Sequence, residues 1–192
     1  HRAIVQVFDL GVTAENDPFL VMELLHGKDA GDLVRHAGPL DAVQAVQLMI
    51  PVLSGLAVAH ALGIVHRDLK PENIFLADVD GGSVQPKIVD FGIARVFVPS
   101  AALKLTSAGM MIGTPEFMAP EQIEALDDID GRADLFSVGA MMFRLIAKRK
   151  VHEAENDLEL LKKMATEPAP SLASAAKSAP PALCAIVDRA LR

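Results

Sequence analysis

Four side chains close together in the sequence could do chemistry as a set. Asp68, Lys70 and Asn73 fall within His66-Arg67-Asp68-Leu69-Lys70-Pro71-Glu72-Asn73, and a second carboxylate, Asp90, follows in Asp90-Phe91-Gly92. Ala119-Pro120-Glu121 closes the series downstream. Carboxylates, an amide and an ammonium group in this order are suited to the transfer of a phosphoryl group. Such a transfer leaves little covalent work for a protein, so its residues position the reactants and neutralise charge on the group in flight. Five positions separate Asp68 from Asn73, enough for one loop to turn the acid toward a hydroxyl and the amide toward a metal. Magnesium suits such a site because it keeps several waters and binds through one or two carboxylates plus substrate phosphates. Taken singly, each residue has a plainer reading. A lone Asp in a loop is usually a solvated turn residue, and His66, after Ile64 and Val65, reads as a satisfied core histidine. The octapeptide followed by Asp-Phe-Gly at this distance outweighs those readings.

Together the motifs resemble the signature set of the protein kinase family, and in particular the eukaryotic-like, or Hanks-type, serine/threonine kinases of bacteria. Lys70, two residues after Asp68, is similar to the serine/threonine subgroup, and the run from Gly113 through Thr114 and Ala119-Pro120-Glu121 to Gln122 resembles bacterial members. The resemblance implies a serine/threonine protein kinase that uses ATP and Mg2+. It makes Asp68 the base for the substrate hydroxyl, Lys70 a contact to the γ-phosphate, Asn73 and Asp90 the magnesium ligands, and Thr114 a contact to Asp68 and Lys70. It makes Met22 the gatekeeper and Glu23-Leu24-Leu25 a hinge whose backbone would hydrogen-bond adenine. Asp29 would touch the ribose and Phe75 would floor the adenine ring. In supporting roles, His66 would pack on Phe91 and Asp134 would accept hydrogen bonds from the catalytic-loop backbone, while the arginine that usually pairs with the glutamate at Glu121 belongs to a last helical stretch missing from these residues, so Glu121 is expected to lack that partner.

Arg67, just before Asp68, is the feature shared by kinases switched by loop phosphorylation, and Arg95 could join it. Between Asp90 and Glu121 lie the hydroxyls Ser100, Thr106, Ser107 and Thr114; Thr106 is the first choice for modification and Ser107 the second. A phosphate adds about two negative charges and strong acceptor oxygens, so docking it on a pair of arginines can order a loop. The plainer reading makes these hydroxyls solubilisers of a loop.

The elements that must position these residues point to an α+β, protein-kinase-like fold. The expectation is one partial domain over 1–192: N-lobe strands and hinge over 1–25, then a mainly helical C-lobe over 26–192 cut short of its last helices. Ile4 to Gly11 alternates and stops at a glycine, and Phe19 to Leu24 is a second β-rich run, so a hairpin is expected. Asp41 is a good N-cap with Gln44 as its capping-box partner and Leu40 as a staple, and Gly63 supplies the stop. Within that helix Val43, Val46, Ile50, Leu53 and Ala57 predict the core face, and Pro51 predicts a kink or local break. Ile74-Phe75-Leu76 and Lys87-Ile88-Val89 flank Asp80-Gly81-Gly82, a hairpin that presents Asp90 at its end. Ala133 to Ala147 is apolar nearly all round and reads as a buried central helix. Leu158, Leu161 and Met164 mark a short helix, Pro168 to Pro181 a connector, and Pro181 to Arg192 a last helix.

A formal net charge of -7 argues against a nucleic-acid surface. The one tight basic cluster, Lys148-Arg149-Lys150, reads as the solvated end of a helix. A single cysteine, Cys184, forms no internal disulfide, which fits the cytoplasm. The six histidines show no His and Cys pairing at zinc-ligand spacing. Ala42 to Val65 carries no charge and is long enough to resemble a membrane span, yet its pattern is that of an amphipathic core helix, so no membrane segment is expected.

The chain opens on His1 and lacks the Gly-rich loop, the strand lysine that grips phosphates and its helix glutamate, so the beginning is expected to be cut and these 192 residues alone weakly active or inactive. The expected partners are ATP and a protein bearing Ser or Thr, with self-association for autophosphorylation. A scaffold that binds partners without catalysis is the alternative, and a small-molecule phosphotransferase comes third, opposed by Lys70 and Ala119-Pro120-Glu121. Glu72 and the acidic run Glu121 to Asp130 hint at basic residues around the target hydroxyl, although such a run is more often a solvated face.

Overall fold

The computed structural model describes residues 1–36, 40–79, 81–91, 115–124 and 128–192. Two antiparallel sheets come first. Strands β1 (Val7–Val12) and β2 (Pro18–Met22) form a hairpin, with a register shift between Val7 and Asp9. Strand β3 (Gly27–Asp29) pairs with β4 (Ile74–Val79), which pairs in turn with β5 (Ser83–Ile88). The first strand therefore starts later than expected and passes through Gly11 to Val12; Ile4 instead makes an isolated parallel bridge to Ile88. Strand β3 and the short helix α1 (Gly31–His36) carry too little periodicity to be read in advance.

Helix α2 (Ala42–Ala61) begins as its sequence dictates. Asp41 accepts the Gln44 backbone N–H at 2.8 Å while the Gln44 side chain takes the Asp41 N–H at 3.1 Å. Gly63, at φ +74°, ends it: its N–H donates to His60 O at 2.9 Å and the Ile64 N–H to Ala59 O at 3.0 Å, leaving few carbonyls unpaired where the loop begins. The helix continues through Pro51 without a break, so the missing donor costs one bond in a helix held mainly by packing.

The face of α2 that packs inward corrects the expected one. Ala45, Met49, Val52, Leu56 and Ala59 are buried against β5 and the central helix, whereas Val43 is 64% and Ile50 59% exposed. Because α2 is apolar on both stripes, its own pattern does not choose between them; the elements around it do. It is, among the described residues, the one helix long and apolar enough to cross a membrane.

Helix α3 (Pro120–Ile123) is one turn, and α4 (Gly131–Ala147) is the central helix, buried on nearly all sides from Ala133 to Ile146. Helices α5 (Asp157–Thr166), α6 (Leu172–Ala175) and α7 (Pro181–Ala190) complete the chain. The helix marked by Leu158, Leu161 and Met164 is present as α5, with Leu160 and Met164 inward and Leu158 exposed. The expected connector holds α6, capped by Ser171 and tied to α7, since Asp188 accepts from both the Ser171 hydroxyl and the Leu172 N–H. Lys148 is not merely solvated. It takes a left-handed C-cap conformation and donates to Val34 O at 2.9 Å, fastening α4 to the end of α1, and Lys150 pairs with Glu116 at 3.4 Å.

Candidate active site

The loop carrying Asp68 is built on a buried carboxylate. Asp134, near the start of α4 with a side chain 1% exposed, accepts the His66 N–H at 2.9 Å, the Arg67 N–H at 2.9 Å and His60 Nε2 at 2.7 Å. A buried charge is tolerable only when paired and hydrogen-bonded, and here three donors converge on it. Arg67 sits at φ +65°, a conformation that costs a non-glycine residue about 1–3 kcal/mol and persists because the surroundings hold it. His60, on the last turn of α2, was not anticipated from sequence. Its ring lies against Gly131, where an added Cβ would stand 2.5 Å from Nδ1. The available signal was one ionisable residue late in a helix that holds no other.

His66 is fully buried, and burial pushes its pKa below the ordinary histidine value. The neutral ring is used on both sides: Nε2 donates to Val89 O at 2.9 Å and Nδ1 accepts the Asp68 N–H at 3.3 Å. It also packs on Phe91, with ring centroids 4.9 Å apart. His66 thus links the loop of Asp68 to the strand end before Asp90.

Asp68, Lys70 and Asn73 meet around one oxygen. Lys70 Nζ lies 2.9 Å and Asn73 Nδ2 3.3 Å from Asp68 Oδ2. Leu69, buried between them, turns its neighbours outward, and Pro71–Asn73 forms a single 3-10 turn that returns Asn73 beneath Asp68. Asn73 Nδ2 also donates to Asp68 O at 2.8 Å, which orients the amide so that its oxygen is left for another partner. Val89, the residue before Asp90, is bound at both backbone groups, its N–H by Asn73 O at 2.9 Å and its carbonyl by His66. The β4–β5 hairpin therefore delivers Asp90, at φ +55°, beside the loop that holds Asn73. The Asp90 carboxylate and the Asn73 amide oxygen are hard donors of the kind magnesium takes, and that ion needs no all-protein cage. Among the described residues no group of three His, Cys, Asp or Glu side chains could hold a metal.

The residues expected around adenine lie along β2, β3 and β4. Met22 ends β2, and the Glu23 N–H is taken by Gln6 O at 2.9 Å. The Glu23 side chain pairs with Lys87, whose ammonium holds that carboxyl below the usual carboxylate range, and it accepts the Gln6 N–H at 2.8 Å. Leu25 follows in the segment joining β2 to β3, and Phe75 lies beside Asp29 in the β3–β4 register. Asp29 already faces Arg35 at 3.4 Å, and the same guanidinium reaches Asp32 at 2.8 Å and Glu72 at 3.4 Å. Glu121 makes no ion pair among the described residues and lines an apolar groove of about 870 Å3 between α2, α4 and α7, apart from the catalytic loop. Gly92, Arg95, Ser100, Thr106, Ser107 and Thr114 lie outside the described residues.

Two further residues escaped the sequence reading. Gln122 joins the loop to α3, its Nε2 donating to Arg67 O at 2.6 Å. Glu116, buried in the 3-10 turn Pro115–Phe117, meets Arg144 Nε at 3.5 Å as a charge and not as a hydrogen bond. Neither carries a periodic or spacing signal.

Residues 1–185 match the protein kinase domain family. Over 146 residues the chain is 42% identical to the serine/threonine-protein kinase PknL of Mycobacterium tuberculosis, covering 76% of this chain and 34% of that protein. Over 149 residues it is 43% identical to the serine/threonine-protein kinase Pkn1 of Myxococcus xanthus, covering 78% and 21%. A third relative, the probable serine/threonine-protein kinase pknA2 of Bifidobacterium longum, is 36% identical over 184 residues, covering 96% and 23%. The chain thus spans about a third or less of the length of the curated relatives it matches. With the catalytic loop, the Asp90 hairpin and the central-helix carboxylate assembled as the motifs require, this chain belongs to the protein kinase family, in its bacterial serine/threonine branch.

Proposed function

We propose that this chain carries the catalytic loop of a kinase that moves the γ-phosphate of ATP to a serine or threonine hydroxyl of a protein. The observation that carries the reading is the convergence of Lys70 Nζ and Asn73 Nδ2 on Asp68 Oδ2, at 2.9 and 3.3 Å. Asp68, its side chain half exposed, is the base: it takes the proton as the hydroxyl oxygen forms its bond to the γ-phosphorus and the bond to the β-phosphate oxygen breaks, releasing ADP. Lys70 moves from Asp68 toward the γ-phosphate when nucleotide is present, holding negative charge that is otherwise unpaired. Asn73, through the oxygen its orientation leaves over, and Asp90 hold magnesium, which when bound neutralises phosphate charge. Met22, the Glu23 and Leu25 backbone, Asp29 and Phe75 hold the nucleoside, with Asp29 exchanging Arg35 for a ribose hydroxyl. Thr114 contacts Asp68 and Lys70, and Arg67 with Arg95 takes a phosphate on Thr106 or Ser107, added through self-association of two copies. The free, buried Cys184 and the use of ATP fit a cytoplasmic site of action.

The test is γ-phosphate transfer from Mg-ATP to a generic protein acceptor by the full-length protein, beside its Asp68→Asn variant. A loss of at least about a hundredfold in the variant is expected, the scale of general-base catalysis. No transfer by the intact protein, even after phosphorylation of its loop, would replace the reading with that of a scaffold.

A further inference from the structure

We propose that Gln122 is a positioning residue for Asp68, coupling the seating of the substrate-side segment to the catalytic base; the inference rests on the kinase reading above. The peptide group between Arg67 and Asp68 is held at both ends. Its N–H donates to His66 Nδ1 at 3.3 Å, and its carbonyl accepts from Gln122 Nε2 at 2.6 Å. The preceding peptide is held by Asp134 through the Arg67 N–H at 2.9 Å. Arg67, at φ +65°, therefore has its own N–H and C=O bound by different elements, and Gln122 supplies the second of the two restraints.

The other end of the same amide fixes what it is coupled to. Gln122 Oε1 accepts the Ala119 N–H at 3.1 Å, so one planar group reads the start of α3 with its oxygen and the catalytic loop with its nitrogen. With a donor on one side and an acceptor on the other, one orientation of the amide satisfies both. Helix α4 completes a triangle. Asp134 holds the loop, and one turn later the Ser137 hydroxyl donates to Phe117 O at 2.7 Å, holding the segment that enters α3. Gln122 closes the third side. The crevice enclosed by Arg67, Asp68, Phe117, Gln122 and Ser137 measures about 10 Å3, room for no more than a single water, so the contact is direct and not part of a ligand pocket. A shift of residues 115–123 by an incoming peptide or by loop modification would pass through one amide to the peptide bearing Asp68.

Gln122→Glu separates the two halves. The variant has the same shape and keeps an oxygen for the Ala119 N–H, but turns a second oxygen toward Arg67 O. In the full-length protein the expected result is about a tenfold fall in kcat with KM for ATP within twofold and an unchanged melting temperature, since misplacement of a catalytic group acts on the transition state. A capping role alone predicts wild-type kcat in this variant, and that result would overturn the inference while leaving the kinase reading intact. Should Gln122→Glu fail to fold, Gln122→Ala decides: kcat equal to wild type refutes the coupling, and a fall at least as large as tenfold with KM for ATP unchanged supports it. A wild-type protein that transfers no phosphate removes the kinase reading and this inference together.

Discussion

Replacing Asp134 with Asn tests whether the catalytic loop hangs from one buried carboxylate. The exchange keeps shape and removes charge, and an amide offers one acceptor where the carboxylate offered two. Oδ2 serves His60 Nε2 and the His66 N–H, and Oδ1 serves the Arg67 N–H. The less costly placement turns the new NH2 toward Arg67, because facing Oδ2 it would oppose the His66 N–H. The Arg67 N–H is then left without a partner, and the bonds that remain lose their charge assistance. A hydrogen bond to a charged group contributes about 1.5–3 kcal/mol, and an unsatisfied buried donor costs about 1–3 kcal/mol more. The expected loss is about 3 kcal/mol, or a fall in Tm of about 6–12 °C for a domain of this size. Arg67 then has fewer restraints at φ +65°, so kcat should fall as well. Urea unfolding of the full-length protein, with phosphate transfer measured in native buffer, reads both effects. A stability change below about 1 kcal/mol with wild-type kcat would refute the account of Asp134 as the anchor.

The remaining predictions concern packing and protonation. Leu56→Ala should cost about 2–5 kcal/mol and Ile50→Ala under about 1 kcal/mol by urea unfolding, because Leu56 is buried and Ile50 is not; equal costs would contradict the orientation found for α2. Burial holds His66 and His152 below the ordinary histidine value, so below about pH 6.5 the unfolded chain binds protons that the folded chain refuses. Stability should therefore be full above that pH and fall as pH drops toward the depressed folded values, by up to about 1.4 kcal/mol per unit for each group. Urea midpoints at pH 7.5 and 5.5 should show this fall, reduced in His152→Gln; an equal fall in that variant would assign the effect elsewhere.

The candidate site was legible in the sequence because its residues stand at fixed short spacings. Asp68, Lys70 and Asn73 lie within six residues of chain, so local turn geometry alone brings them together. Caps were legible for the same reason: Asp41 with Gln44, and Gly63, act on backbone groups three or four residues away. Faces were not. Helix α2 presents two apolar stripes of similar strength, and α5 offers Leu160 and Leu161 at adjacent positions, so burial depends on which neighbour arrives.

What the sequence by itself determined is the order of motifs, the candidate site residues within one short loop and the cap and stop of the long helix α2, all matters of interactions within a few residues. Tertiary structure alone decided that His60 and Asp134, 74 positions apart, are joined by a hydrogen bond, and that Gln122 reaches back to Arg67 across 55. It also decided that Arg35, already paired with Asp32 one helical turn away, gathers Asp29 and Glu72 onto the same guanidinium, and that Lys148 fastens α4 to α1. Such contacts join donors and acceptors whose spacing along the chain carries no period. They exist because α4, buried on nearly every side, brings distant segments to one axis, where each buried polar group must find a partner.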